Sequence, residues 1–291
     1  MAKLKGKNPK HAKPQRLRMV VFGAAGVGKT WTAIDFPACY YIDTEGGANL
    51  PEYTDKLSEV DAAYMGPEDG ANDYGVVLDQ ILALSTEKHD RKTLVIDSHS
   101  KLFNTEVQIE HDRLVSEGRK VEFAVEKKPA VSKTRQLITR LDTLDLNAIL
   151  ICHEKTQWKN GEQIGETFDS YEKLGYELNL VVQVLKTGDE RIFRVIKSRF
   201  AKFAIGTTHP WKYETFREVC GQDALEHDAV PVPASTAEQV ATIEKLVGLL
   251  KTDIKTTQKW WDAAGVTSWA EMDTVRIGKC IDHLKGQMPS N

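Results

Sequence analysis

Cysteine is scarce. Cys39, Cys152, Cys220 and Cys280 are the only ones in 291 residues, and none forms a C-x-x-C pair. This excludes a disulfide-stapled framework and a zinc ribbon, and reads as reduced, packed thiols in a cytosolic protein. Long apolar runs are also missing; none approaches the ~18 residues needed to cross a bilayer. The amino terminus is basic but lacks the apolar core of a secretory signal. Charge of one sign is not in excess: 39 Lys and Arg face 42 Asp and Glu, for a net charge of −3. The whole molecule is therefore no polycation, and any case for nucleic acid must rest on local patches. Hydrophobic content of 41% and charged content of 28% are ordinary for a soluble globular protein. The length leaves room for one large domain and a small one.

What is present is a phosphate loop. Gly23-Ala24-Ala25-Gly26-Val27-Gly28-Lys29-Thr30 fits G-x-x-x-x-G-K-[ST] at every fixed position. The apolar run Met19-Val20-Val21-Phe22 before it reads as a buried strand, and Trp31-Thr32-Ala33-Ile34 after it can continue as a helix. That strand–loop–helix context is what the motif requires. Glycines let backbone N–H groups approach phosphate oxygens closely, and the helix start adds partial positive charge. Lys29 is expected to reach the β- and γ-phosphates, and the Thr30 hydroxyl to ligate Mg²⁺. The candidate nucleotide contacts run from Gly23 through Trp31.

Further along, Ala38-Cys39-Tyr40-Tyr41-Ile42 reads as a strand closed by Asp43-Thr44-Glu45-Gly46-Gly47. Acids at the carboxyl end of a strand beside the phosphate-loop strand face the ligand crevice of an open α/β sheet. Asp43 there either orders water or caps the turn. Residues 48–71 read as loop, and Val76, Val77, Gln80, Ile81 and Leu84 as an amphipathic helix. Thr93-Leu94-Val95-Ile96-Asp97-Ser98 is an apolar strand ending in Asp, the pattern that holds Mg²⁺ opposite a phosphate loop. Residues 99–146 read as helical. Their Lys127, Lys128, Lys133 and Arg135 form a basic cluster, either a nucleic-acid contact or a solvated face.

Ala148-Ile149-Leu150-Ile151-Cys152 is another buried strand, ending at His153, and Asn160-Gly161 after it is a hairpin turn. Two more strands, over 180–185 and 192–196, flank a turn at Gly188-Asp189. Strands and helices that alternate before a late hairpin predict an α/β protein, with a mostly parallel sheet between two helical layers. Four regions are expected: a basic disordered tail over 1–18, the main domain over 19–226, a linker over 227–235 and a helical module over 236–291. In the last, Ser235 and Glu238 look like a capping box, and a second S-x-x-E lies at Ser268 and Glu271. Its tryptophans are either core or base-stacking platforms.

The order of these motifs resembles RecA-like ATPases at Gly23–Thr30, Asp43–Glu45, Asp97–Ser98, His153 and Lys197-x-Arg199-Phe200. The last element is similar to the K-x-R-F element of RadA- and KaiC-type members. More closely, the chain resembles phage-encoded RecA-like single-strand annealing ATPases, and its helical tail resembles small modules that end other phage recombination proteins. The resemblance implies a RecA-like P-loop fold and Mg²⁺-dependent ATP hydrolysis, stimulated by single-stranded DNA. It implies Lys29, Thr30 and Asp97 on nucleotide and metal, and Glu45 positioning the attacking water. His153 stands at the sensor position, where RecA itself has Gln. Lys197 and Arg199 would act across a subunit interface, in a ring or filament. DNA loops are expected near 117–134 and 156–170, the latter with Lys155, Trp158, Lys159 and Phe168. The setting implied is the cytoplasm of a bacterial host, with a single-strand-binding or other recombination protein as a candidate partner of the helical module. Two other readings fit a phosphate loop: a nucleotide-gated assembly or loader ATPase acting on a protein, and a small-molecule P-loop kinase, for which the chain shows no clear Arg-rich lid.

Overall fold

The computed structural model describes residues 15–122 and 124–288. The expected tail over 1–18 mostly lies outside them, but its last residues are not a tail. Arg16 and Leu17 are buried. Leu17 shares a face with Met19 and Val21 in one half of the core, as alternation along an extended chain requires. Arg16 Nε meets Asp145 Oδ1 at 3.1 Å, and its Nη2 donates to the His227 carbonyl at 2.8 Å. The folded chain therefore begins before residue 18.

The first strand, β1 (Arg18–Gly23), feeds the phosphate loop and α1 (Lys29–Ile34), which ends ahead of Pro37. Next is β2 (Cys39–Asp43). Residues 48–71, expected as loop, contain α2 (Pro51–Glu59) and β3 (Ala63–Met65). Pro51 stands at the first helical position, where its missing N–H costs nothing. Then come α3 (Tyr74–Thr86), β4 (Thr93–Asp97), α4 (His99–Ser116) and α5 (Lys127–Thr143). β5 (Asn147–Lys159) runs past the sheet edge and folds back through Asn160-Gly161 into β6 (Glu162–Phe168). The hairpin turn expected at Asn160-Gly161 is thus present, and the segment expected to face DNA over 156–170 is largely its two strands. It is followed by α6 (Leu174–Glu177), β7 (Leu180–Thr187), β8 (Glu190–Ser198) and β9 (Thr208–Pro210). The last helices are α7 (Tyr213–Cys220), α8 (Gln222–Glu226), α9 (Ala237–Leu249), α10 (Ile254–Ala264) and α11 (Thr274–Lys285).

Among the described residues nine strands form one sheet in the order β3-β2-β4-β5-β1-β7-β8-β9, with β6 paired to β5 alone. The strands from β3 to β7 in this order run parallel, while β8 pairs antiparallel with β7 and β9 antiparallel with β8. One expectation is corrected here. β2 is not beside the phosphate-loop strand; β4 and β5 lie between them. Asp43 nonetheless pairs with Asp97, Asp97 with Ile151, and Gly23 with His153, so all four strands present these residues at the same edge.

Both faces of the parallel strands are buried, which explains their near-continuous apolar composition. Val20, Phe22, Leu94, Ile96, Ala148 and Leu150 face Val77 and Ile81 of α3 and Leu137 and Leu141 of α5. Met19, Val21, Val95, Ile149 and Ile151 face Ala33 and Ile34 of α1, Leu57 of α2 and Phe216 of α7. The result is an α/β, three-layer fold with a mostly parallel sheet between helices. A third core joins Ile243 and Leu246 of α9 to Ile277, Ile281 and Leu284 of α11, with Trp269 between. The capping box at the start of α9 is Thr236 and Gln239, one residue later than Ser235 and Glu238. Ser235 Oγ donates instead to the Trp269 carbonyl at 2.7 Å. Nor do Ser268 and Glu271 cap the last helix; Asp273 does, accepting from Val275 and Arg276 N–H groups.

Candidate nucleotide site

The loop between β1 and α1 carries the required backbone shape. Gly28 has φ of +87°, in the left-handed region that side chains with a Cβ adopt at a cost. At Gly23 the constraint is contact: a Cβ there would strike the Val184 carbonyl of β7. The loop is buttressed from outside by Trp211, whose indole Nε1 donates to the Gly28 carbonyl at 3.0 Å. Lys29 Nζ donates to the Gly23 and Ala24 carbonyls, 2.8 Å each. Burial lowers the Lys29 pKa, an effect opposed by the nearby Asp97, Glu154 and Glu45 carboxylates. The Trp31 ring meets Tyr53 edge-on at 5.7 Å and lies under Lys56 Nζ at 4.3 Å.

Thr30 and Asp97 come together across the sheet edge, Thr30 Oγ1 donating to Asp97 Oδ2 at 2.5 Å. The same carboxylate oxygen accepts from Tyr41 OH at 2.9 Å. Burial pushes the Asp97 carboxyl up, against the lowering effect of these two hydroxyls. Tyr41 was missed by sequence reading. It reaches Asp97 because β2 and β4 pair in register, which strand order sets and spacing does not.

Asp43 resolves between its two readings as a cap. Its Oδ1 accepts from the Glu45 and Gly46 N–H groups at 3.0 and 2.9 Å, and Oδ2 from Ala48 N–H at 2.8 Å. This holds the loop that presents Glu45. Glu45 Oε1 accepts from Ser98 Oγ at 2.5 Å and lies 2.7 Å from His153 Nε2. Ser98, unremarked as a site residue, is thus the bridge between the two, 3.2 Å from His153 Nε2. Lys29, Thr30, Asp97, Glu45 and His153 line one open cleft of about 320 Å³. Two roomier surface hollows, about 500 Å³ each, lie by α5 and at the opposite end of the sheet, away from the phosphate loop.

Lys197 and Arg199 are not part of this cleft. On β8, Lys197 pairs with Val181 and Ser198 with Leu180, which itself pairs with Met19. Both basic residues therefore sit toward the amino end of β1, opposite the phosphate loop. Lys197 Nζ donates to the Leu178 carbonyl and Arg199 Nη2 to the Tyr176 carbonyl at 2.9 Å. The residue of β8 that does reach the loop is Arg191, whose side chain lies against Gly28.

Of the expected DNA contacts, Phe168 is excluded by burial: it packs edge-on against Phe22 at 6.1 Å. Trp158 stays exposed near the hairpin tip, and Lys155 pairs with Asp169 at 3.2 Å. In the helical module Trp269 is buried against Trp260 and Trp261, so these rings are core. Of the basic cluster, Lys133 pairs with Glu106 at 2.8 Å, and Arg135 lies 5.7 Å from the Tyr171 ring.

The AAA domain family model matches residues 15–210. The chain belongs to the AAA domain family. Membership implies a domain that binds and hydrolyses nucleotide. No curated protein matches the chain. Among solved structures, the RadB recombinase is similar at a TM-score of 0.43 and 18% identity, over 66% of this chain and 84% of RadB. Among the described residues, no helix is long and apolar enough to cross a membrane.

Proposed function

We propose that the protein is a Mg²⁺-dependent, RecA-like ATPase that acts on single-stranded DNA in phage recombination or annealing, in the cytoplasm of a bacterial host. The observation that carries this reading is the convergence of the phosphate loop, the Thr30–Asp97 pair and Glu45 on one cleft. Thr30 and Asp97 place two hard oxygen donors side by side, a set that suits Mg²⁺ with water and phosphate oxygens completing its shell. When bound there, Mg²⁺ neutralises developing charge on the transferred phosphoryl group. Lys29 swings from the loop carbonyls to the β- and γ-phosphates. Glu45, held by Ser98 and His153, orients the attacking water and takes its proton. Lys197 and Arg199, remote from their own cleft, serve a neighbouring subunit's site.

The link to DNA rests on the β5–β6 hairpin. It grows from the strand that carries His153 and exposes Trp158, a stacking surface for a base. Its foot is tied to the nucleotide edge. The His153 backbone N–H donates to Ser100 Oγ at 2.9 Å, and Ser100 Oγ donates to the Asp169 carbonyl. The deciding experiment measures ATPase rate and solution mass with and without single-stranded DNA at low salt. Stimulation with assembly supports the proposal; turnover and mass indifferent to DNA would count against it.

One observation favours the loader reading. The hairpin is not basic: Lys155 and Lys159 are outnumbered by Glu154, Glu162 and Glu166. Stimulation by a replication or recombination protein, with no annealing of complementary strands, would select that reading.

A further inference from the structure

We propose that Arg191 is a nucleotide-binding residue, its guanidinium contacting the α–β phosphate segment of a triphosphate held by its own subunit's loop. This rests on the nucleotide reading of the cleft and adds to it a residue that the loop motif does not contain.

Placement is the first argument. Arg191 stands one residue into β8, just after the tight Gly188-Asp189 turn, in register with Lys186 of β7. Its carbonyl accepts from the Trp211 N–H at 2.9 Å, and the Trp211 indole is bonded to the Gly28 carbonyl. The backbone that bears Arg191 is therefore fixed to the phosphate loop through a single residue. The side chain then runs into the space that glycine leaves at position 28. A Cβ there would strike Arg191 Nε, and would lie 2.6 Å from Arg191 Cδ.

The second argument is that this guanidinium is unspent. Among the described residues it makes no hydrogen bond to another side chain or carbonyl and no ion pair, and it is exposed. The other arginines fixed by the fold behave differently: Arg16 is paired with Asp145, Arg18 with Asp142 and Arg140 with Glu271. A cation held beside a phosphate loop with its donors free is disposed for bidentate contact with phosphate oxygens.

The third argument is charge. The cleft gathers Asp43, Glu45 and Asp97 around one cation, Lys29, with Glu154 also near Lys29. A triphosphate brings further negative charge. Mg²⁺ at Thr30 and Asp97 would compensate on the γ side, whereas Arg191 lies against Gly28, within the loop itself. There, loop N–H groups cradle the α- and β-phosphates, and Arg191 is the cation at hand.

The test is calorimetric titration of the full chain with Mg-ATP and Mg-ADP, using native protein, Arg191→Ala, Arg191→Lys and Lys29→Ala. Arg191→Ala is expected to weaken ATP and ADP alike, by about tenfold each, because both contain the α–β segment. Arg191→Lys should recover part of the loss. Unchanged affinity for both nucleotides in Arg191→Ala, with binding lost in Lys29→Ala, overturns the assignment while leaving the nucleotide site standing. A loss for ATP but not ADP also overturns it, by placing Arg191 on the γ-phosphate. Native protein that binds neither nucleotide would remove the nucleotide reading itself. If Arg191→Ala does not melt like native protein, Arg191→Lys decides: native affinity for both nucleotides overturns the assignment, and a loss shared by both supports it.

Discussion

Glu45 Oε1 and His153 Nε2 lie 2.7 Å apart, although 108 residues separate them in sequence. The pairing is set by the sheet. Asp43 and Asp97 are in register, as are Gly23 and His153, so the strand ends deliver a carboxylate and an imidazole to the same edge. Replacing the carboxylate with an amide keeps the shape and removes the base. Glu45→Gln is therefore expected to bind ATP as the native protein does and to hydrolyse it about 10²-fold more slowly or worse. Single-turnover hydrolysis beside equilibrium binding checks this. Native turnover would remove Glu45 from the chemistry.

That pairing also marks the limit of what could be read from the chain. The phosphate loop was legible because its chemistry is local: spacing of glycines, a lysine and a threonine suffices. The strands were legible because burial on both faces leaves apolar runs. Ser98, Tyr41 and Arg191 were not singled out, because nothing local distinguishes a serine after a strand, a tyrosine within one or an arginine opening one. Their meaning comes from strand order, and β5 between β1 and β4 cannot be read from spacing. The α9 cap slipped by one residue for a similar reason: Ser235 and Thr236 both precede an acceptable partner, and Ser235 is taken by the Trp269 carbonyl.

Phe193 anchors the aromatic cluster under β8. It is fully buried, with Phe216 at 5.0 Å, His209 at 5.3 Å, Phe203 at 5.5 Å and Trp211 at 5.9 Å. Phe193→Ala removes a ring that these neighbours cannot close over, and is expected to cost about 3–5 kcal/mol. Because Trp211 also buttresses Gly28, nucleotide affinity should fall with stability. Urea unfolding and ATP titration of the same preparation test the two effects; a loss below about 1 kcal/mol would mean that the cluster repacks.

Arg140 fastens the helical module to the main domain. It is buried, donates to the Gly265 carbonyl at 2.7 Å and to the Leu78 carbonyl, and meets Glu271 at 2.9 Å. Burial pushes the Glu271 carboxyl up, but hydrogen bonds from Thr267 and Ser268 and the charge of Arg140 outweigh it, leaving the pKa below its ordinary 4.5. A depressed carboxylate pKa stabilises the fold above the unfolded value and loses that contribution as pH falls through the folded one. The attachment should therefore hold at neutral pH and weaken below about pH 4.5. Arg140→Met leaves Glu271 without its cation, and is expected to cost roughly 3–5 kcal/mol and to open residues 227–235 to protease at neutral pH. Adding Glu271→Leu should restore part of the stability. Native protease resistance in Arg140→Met would show that the module is held by other contacts.

Lys197 and Arg199 give the most exacting test of assembly. Their side chains reach the Leu178 and Tyr176 carbonyls, at the end of the sheet away from their own phosphate loop. If they act, they act on a neighbour. Arg199→Ala should then bind ATP normally and lose turnover by about 10³-fold, the order expected of an arginine supplied in trans. Lys29→Ala should fail to bind. Mixed in equal amounts, the two inactive proteins form some interfaces that join an intact loop to an intact Arg199, and activity should return to a fraction of native. Activity that stays absent in an oligomer shown to contain both chains would leave Arg199 no part in catalysis.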